Sequence, residues 1–448
     1  MMDWSAAALA EAADARLFAG PRDRGGPQRI VIDSRAAGPG DLFVGLAGTN
    51  TDGGRFAAGA LAAGAWGVLA AGAHLEPLAA AGAGALLAAP DPLASLGLLA
   101  RAWRRELAAK VVAITGSSGK TSTKDILAAL LSPALATVAS RENRNTEIGL
   151  PLSILDAPSG TQALVLELGM RASGQIAELT AICEPDVGVI VSIGPAHIER
   201  LGSLELIAAA KGELIAGLRA GATAVLPARE PLLEPHLRDD VELIRFGDGG
   251  DVSVIDAGEC GVEFAVRGRR VLIEPGFRSP HLLEDLCAAL AAGSALGVEV
   301  ADGPLEVVFS ALRGERLSLP GDVVVVNDCY NANPMSMRAA LQELATTAAG
   351  RRVAVLGDML ELGGPEEERY HRELGEQARA AGVALLVTVG PRAAWAGEAF
   401  SGGEHLHAAD AEGAAALLAG RLRPGDTVLV KGSRGVALER VAERLAAS

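Results

Sequence analysis

Aromatic side chains are scarce here, at 3% of the chain, and cysteine occurs four times in 448 residues. Cys183, Cys260, Cys287 and Cys329 have no CxxC spacing, which excludes a zinc ribbon or a disulfide framework and predicts reduced, buried thiols of a cytosolic protein. There is no basic block: 55 acidic residues stand against 40 Lys and Arg, a formal net charge of −15. That balance argues against nucleic acid or anionic membrane as a main partner, so anionic ligands must be held by local sites. No apolar run is long and uncharged enough to span a bilayer, and the opening MMDWSAAALAEAADARLFAG has no basic leader ahead of an apolar core. Nothing repeats at a short fixed period, which excludes a solenoid. The expectation is a cytoplasmic protein, without membrane insertion or nucleic-acid binding, that works as a monomer.

Lysine is also rare. Arginine is preferred almost throughout, and the lysines are Lys110, Lys120, Lys124, Lys211 and Lys431. Arginine cannot replace a lysine that must be a compact point charge or a nucleophilic amine. Lys120, Lys211 and Lys431 fall in segments that look like sites for other reasons.

Half of the chain is hydrophobic, and its length predicts two or three domains with full cores. The most informative stretch is VVAITGSSGKTSTKD (111–125). A β-branched run feeds a turn, and Lys-Thr-Ser-Thr opens a helix, an arrangement that builds a phosphate cradle. Gly116, Ser117, Ser118 and Gly119 let backbone N–H groups converge on anionic oxygens. Lys120 supplies charge for β/γ-phosphates, the Thr121 hydroxyl can ligate Mg²⁺, and Ser122 completes the motif. The loop is shorter than GxxxxGK[ST], since position 114 is Ile114. The expectation is a nucleoside triphosphate site.

Three blocks follow from the pattern of strands and helices: 1–105, 106–311 and 312–448. The first holds short strands RIVIDSR (29–35), DLFVGL (41–46) and WGVLAA (66–71). The second alternates buried-type strands VVAIT, ALVLELG (163–169), VGVIVSIG (187–194) and ATAVLP (222–227) with helices, and 241–275 reads as a β-rich edge or side layer. The third reads VVVVND (323–328), VAVLGDM (353–359), ALLVTVG (384–390) and TVLVKGS (427–433). Continuous apolar strands separated by helices predict parallel sheets, hence an α/β fold with a P-loop domain and a second doubly wound unit.

Ligands of such sheets lie beyond the carboxyl ends of the strands. In the second block those positions hold Thr121, Glu167 and His197, a plausible Mg²⁺ set beside a triphosphate. Lys211 lies on a helix among Ala208, Ala209, Ala210 and Gly212, so either a solvated lysine or a close approach to the site fits it. In the third block NDCYNANPMSM (327–337), LGDMLELG (356–363) and VLVKGSRG (428–435) end three strands with polar groups, a second ligand face.

Together GSSGKTS, ELGM (167–170), GPAHIERLGSLELIAAAKGEL (194–214) and KGSR (431–434) resemble the Mur ligases of peptidoglycan synthesis. The resemblance covers nearly the whole chain. IDSR (32–35) with PGDLFVGLAG (39–48) looks like their UDP-binding domain. NRNTEIGLPLSIL (143–155), YNANP (330–334), LGDMLELG and VLVKGSR look like the member that adds D-alanyl-D-alanine to UDP-N-acetylmuramoyl-tripeptide. The resemblance implies an ATP- and Mg²⁺-dependent amide ligase working through an acyl phosphate. It implies that Lys120 binds phosphates, that Thr121 and Glu167 hold one Mg²⁺, and that His197 and a carbamylated Lys211 place a second. It further implies that Ser34 and Arg35 contact the uridine nucleotide and that Asn143, Asn145 and Thr146 line the tripeptide groove. Arg316, Asp328, Tyr330, Asn331 and Asn333 would close over ATP and the dipeptide, and Lys431 would act near the reacting carboxylate. Departures from the family pattern are His281-Leu282-Leu283-Glu284-Asp285 in place of H-N-x-x-N, Asp52-Gly53-Gly54 in place of Asp-Gly-His, and Asn327-Asp328 before YNANP. Rival readings are a sister amide ligase, a folylpolyglutamate synthase, which lacks the first domain, and a P-loop switch, which would hydrolyse nucleotide without joining substrates.

Overall fold

The computed structural model describes residues 4–23, 25–81, 84–141, 143–196, 198–258, 260–364 and 366–447. Among them the strands form three sheets, of five, ten and six strands. In the first, Arg29–Val31, Asp41–Val44, Gly67–Ala70 and Ala85–Ala88 are parallel neighbours, and Arg16–Ala19 adds an antiparallel edge. The last two strands were not anticipated, being short and poor in β-branched residues.

The ten-stranded sheet carries the P-loop strand, Lys110–Thr115, between Ala163–Glu167 and Val187–Ile190, all parallel. The chain leaves Lys110–Thr115 for the edge strand Thr137–Ala139, returns through Ala163–Glu167, then crosses to Val187–Ile190 on the other side. The reversal of strand order opens a crevice at the carboxyl end of the P-loop strand, where α/β sheets take their ligands. The region 241–275 takes the edge place expected of it and is no separate layer. Glu242–Phe246 continues the parallel sheet, and Val252–Gly258, Gly261–Val266 and Arg269–Glu274 extend it as antiparallel hairpins. Helices Lys120–Leu131 and Pro280–Ala295 cover one face, their Ile126, Leu127, Leu286 and Leu290 packed into one apolar core with strand residues Val112, Val165 and Val189. Alanines 288, 289, 291 and 292 of the second helix are fully buried, so small side chains line its contact with the sheet.

In the six-stranded sheet the final strand, Thr427–Lys431, inserts between Val323–Asn327 and Arg352–Gly357, all three parallel. Chain order did not reveal this insertion, and it has a consequence. The polar strand ends at Asp328, Lys431 and Asp358 become neighbours on one edge. Leu385–Val389 follows Arg352–Gly357 in parallel, and edge strands Glu315–Leu319 (antiparallel) and Glu404–Ala408 complete the sheet. Cys183, Cys287 and Cys329 are buried and unpaired as expected, but Cys260 is exposed at a hairpin turn, where no core reaches it. No helix among the described residues is long and apolar enough to cross a membrane.

Candidate active site

The turn between Thr115 and Lys120 is shaped by its glycines. Gly119 caps helix Lys120–Leu131 with φ +82°, and a Cβ there would collide with the Asp285 carboxylate and Val191. No side chain caps this helix, so its first-turn amides keep their capacity for an anion. The loop is braced from the next strand over. Ser117 N donates to Ser192 O and Ser118 N to Ser192 Oγ, both at 2.9 Å, and Ser117 Oγ donates to Gly194 O at 2.9 Å. Lys120 lies half-buried, its Nζ donating to Gly116 O at 2.6 Å. Burial lowers its pKa and the facing Glu167 opposes that shift.

Glu167 ends its strand 3% exposed. One carboxylate oxygen accepts from Thr121 Oγ1 at 2.9 Å and the other from Asn145 Nδ2 at 2.8 Å. A hydroxyl and a buried carboxylate held this way suit a hard cation that takes its remaining oxygens from phosphate and water, as Mg²⁺ does. Among the described residues no three His, Cys, Asp or Glu gather as a metal site. His197 lies outside the described residues. Lys211, on helix Leu204–Ala216, is 2% exposed. Its pKa falls well below the usual lysine value, first from burial and then from the charge on Lys120. The close approach, rather than the solvated lysine, is what the structure contains.

The third domain reaches into the site with the turn after Val323–Asn327. Lys431, 1% exposed, donates to Asp328 Oδ2 at 2.7 Å and to Asn331 O at 3.0 Å. Its ammonium therefore holds the 328–331 turn. Asn333 caps helix Pro334–Thr347 in a capping box with Ser336, and its Nδ2 donates across the domain boundary to Ser117 O at 3.1 Å.

Two cavities meet at the phosphate loop. The smaller, of about 460 Å³, takes in Gly116–Ser122, Asn143, Asn145, Thr146, Glu167, Lys211, Tyr330, Asn331 and Asn333. The larger, of about 980 Å³, shares Ser118, Gly119 and Ser122 and adds His281, Asp285, Arg316, Asp328 and Lys431. Most of the residues singled out from sequence thus converge on one crevice. Lys431 opens on the larger cavity and not on the smaller one. Ser34 and Arg35 line neither. They sit on the short turn Ser34–Ala36 of the first domain, where Arg35 pairs with Asp33 at 2.7 Å. Sequence reasoning missed Arg313, which lines both cavities, and Arg171 and Glu361, which line the smaller. Glu361 lies within LGDMLELG but was not singled out there; Arg313 and Arg171 fall in no motif, and their only signal was a position beside a block boundary or a polar strand end.

Three family descriptions match the chain in order: "Mur ligase family, catalytic domain" over residues 28–102, "Mur ligase middle domain" over 114–293, and "Mur ligase, glutamate ligase domain" over 312–434. The chain is 33% identical to the UDP-N-acetylmuramoyl-tripeptide–D-alanyl-D-alanine ligase of Bacillus subtilis (strain 168), over 93% of this chain and 92% of that one. It belongs to the Mur ligase family. Among solved structures, MurF of Acinetobacter baumannii superposes with a TM-score of 0.86 at 28% identity, covering all of both chains. MurF ligase of Thermotoga maritima, solved in complex with ADP, gives 0.83 at 32% identity over 94% of this chain and 97% of that one.

Within this Mur ligase, two departures from the family pattern have structural counterparts. Gly54 leaves room for His74, whose Nε2 lies 2.7 Å from Asp52 Oδ2, so a histidine from another segment meets the aspartate. Asp285 accepts from Ser122 Oγ at 2.5 Å, and burial pushes its carboxyl up to about 7.

Proposed function

We propose that this chain joins D-alanyl-D-alanine to the terminal carboxylate of UDP-N-acetylmuramoyl-tripeptide at the expense of ATP, forming UDP-N-acetylmuramoyl-pentapeptide through an acyl phosphate. The observation that carries the reading is the phosphate loop standing as the shared wall of two cavities. One triphosphate laid across Gly116–Ser122 reaches both. Its base and ribose occupy the larger cavity, and its terminal phosphoryl faces the smaller one, where Asn143, Asn145 and Thr146 guide the peptide carboxylate. The domains are proposed as 1–105 for the UDP-sugar, 106–311 for ATP and 312–448 for closure and the dipeptide, with Ser34 and Arg35 at the uridine nucleotide.

Lys120 neutralises the β- and γ-phosphates. Thr121, Glu167, His197 and Lys211 are the residues that would hold Mg²⁺, which when bound withdraws charge from the phosphoryl oxygens. A peptide carboxylate oxygen attacks the γ-phosphorus and the bond to the ADP oxygen breaks. The dipeptide amine then attacks the acyl carbon, the tetrahedral intermediate expels phosphate, and the amine loses a proton. Two anions must meet in the first step, so the residues' work is positioning and charge neutralisation. Tyr330, Asn331 and Asn333, fixed through Lys431 and Asp328, close the crevice with Arg316 and keep water from the acyl phosphate. Lys211 fits a carbamate: burial and a depressed pKa favour the neutral amine, and the free amine adds CO₂, releasing a proton and leaving an anionic oxygen ligand. The working unit is proposed as a cytoplasmic monomer.

The test is phosphate release with ATP, Mg²⁺ and UDP-N-acetylmuramoyl-tripeptide, with and without D-alanyl-D-alanine. Sustained release should need the dipeptide and yield the pentapeptide. Turnover of ATP alone, or a product only with a single amino acid, would sink the assignment.

A further inference from the structure

Arg313 stands where the two cavities join, one residue past Leu312, which has a left-handed φ of +61° at the domain boundary. Its guanidinium stacks on the Tyr330 ring, 3.9 Å from the centroid, and Nη2 donates to Thr121 Oγ1 at 3.2 Å. Nε is fully buried and finds no hydrogen-bond partner among the described residues. A buried charged donor left unsatisfied is costly, and native sites rarely keep one without a ligand to complete it. The group that would complete it has to accept hydrogen bonds, since a guanidinium only donates, and an anion is the strongest such partner. It also has to enter beside Thr121, at the junction of the cavities. The terminal phosphoryl of a triphosphate laid across the loop as proposed above meets both conditions.

We propose that Arg313 is a catalytic residue: a guanidinium carried by the third domain that binds the γ-phosphoryl as it passes to the peptide carboxylate. The stack on Tyr330, one of only two tyrosines in the chain, holds the guanidinium plane. A planar fork of donors suits phosphoryl oxygens better than an ammonium does. The residue completes the site only when the third domain is docked, so phosphoryl transfer is coupled to closure. This inference rests on the proposed placement of the triphosphate.

The test compares binding of ADP and of the β,γ-imido analogue of ATP, each with Mg²⁺, to the wild-type chain, Arg313→Ala and Arg313→Lys, by calorimetry. Arg313→Ala should weaken the analogue about tenfold or more and change ADP by less than about threefold, with Arg313→Lys in between. In turnover, kcat should fall about a hundredfold or more, with a smaller change in KM for ATP. Equal weakening of both nucleotides would assign Arg313 to packing on Tyr330, and no change in either would remove it from the site; both overturn the proposal. Should the alanine variant fail to fold, Arg313→Lys carries the same comparison. Dipeptide-independent turnover by the wild type would refute the ligase reading alone, since the contrast between ADP and the analogue does not depend on the acceptor.

Discussion

Asp285 gives the most direct physical test of a single residue in this chain. Its carboxyl is held near 7 by burial although Ser122 donates to it. In the unfolded chain it ionises near the ordinary value of 3.8. Between those values the folded state binds more protons than the unfolded one. Stability therefore falls as pH rises from 3.8 to 7, and the loss is complete above 7. Asp285→Asn cannot ionise and keeps an acceptor for Ser122. It should match the wild type near pH 4 and exceed it at pH 8 by at most about 4 kcal/mol, read from urea unfolding at each pH. A constant difference across pH would contradict the burial of an ionisable group. Lys211 is a second case. Intact mass under ¹³CO₂ should show the carbamate increment in the wild type and none in Lys211→Met. The scarcity of lysine pointed to 120, 211 and 431, and all three are in the crevice or against it. Arg313 gave no such signal, because arginine is common here and only tertiary placement separates a site arginine from a solvated one.

At the scale of elements, the turn from Asp328 to Asn333 and the helix it starts connect stability with function. Asn333 serves the helix through its oxygen and the phosphate loop through its amide nitrogen. Asn333→Ala should cost about 1 kcal/mol from the lost cap and impair nucleotide binding as well. Asn333→Asp keeps the capping oxygen, so it should melt close to wild type and yet bind nucleotide more weakly. Paired melting and calorimetry separate the two roles, and equal effects of both variants would show that the amide contact to Ser117 is idle. The strands that sequence revealed are the continuous β-branched runs, whose burial on both faces needs no alternation. Arg16–Ala19, Ala85–Ala88 and Thr137–Ala139 escaped because short or alanine-rich segments take strand conformation from their neighbours and not from propensity. The insertion of Thr427–Lys431 into the middle of the last sheet was likewise beyond a linear reading. Pairing of distant strands is decided by the whole sheet, and that pairing is what seats Lys431 beside Asp328.

For the whole molecule, the crevice exists only between domains. Asn333 to Ser117 and Arg313 to Thr121 are two of the hydrogen bonds that cross it. A triphosphate bound there should tie the two domains together. Hydrogen exchange with the β,γ-imido analogue should slow in helices Lys120–Leu131 and Pro334–Thr347 alike, and protection confined to the first would show that the third domain does not engage the nucleotide. The central claim remains chemical: the peptide carboxylate accepts the γ-phosphoryl before the amine attacks. It is tested most directly with UDP-N-acetylmuramoyl-tripeptide carrying ¹⁸O in its terminal carboxylate, turned over with ATP and D-alanyl-D-alanine. The released phosphate should contain one ¹⁸O for each amide formed. Phosphate without the label would mean that the oxygen came from water, and the acyl phosphate would have to be abandoned.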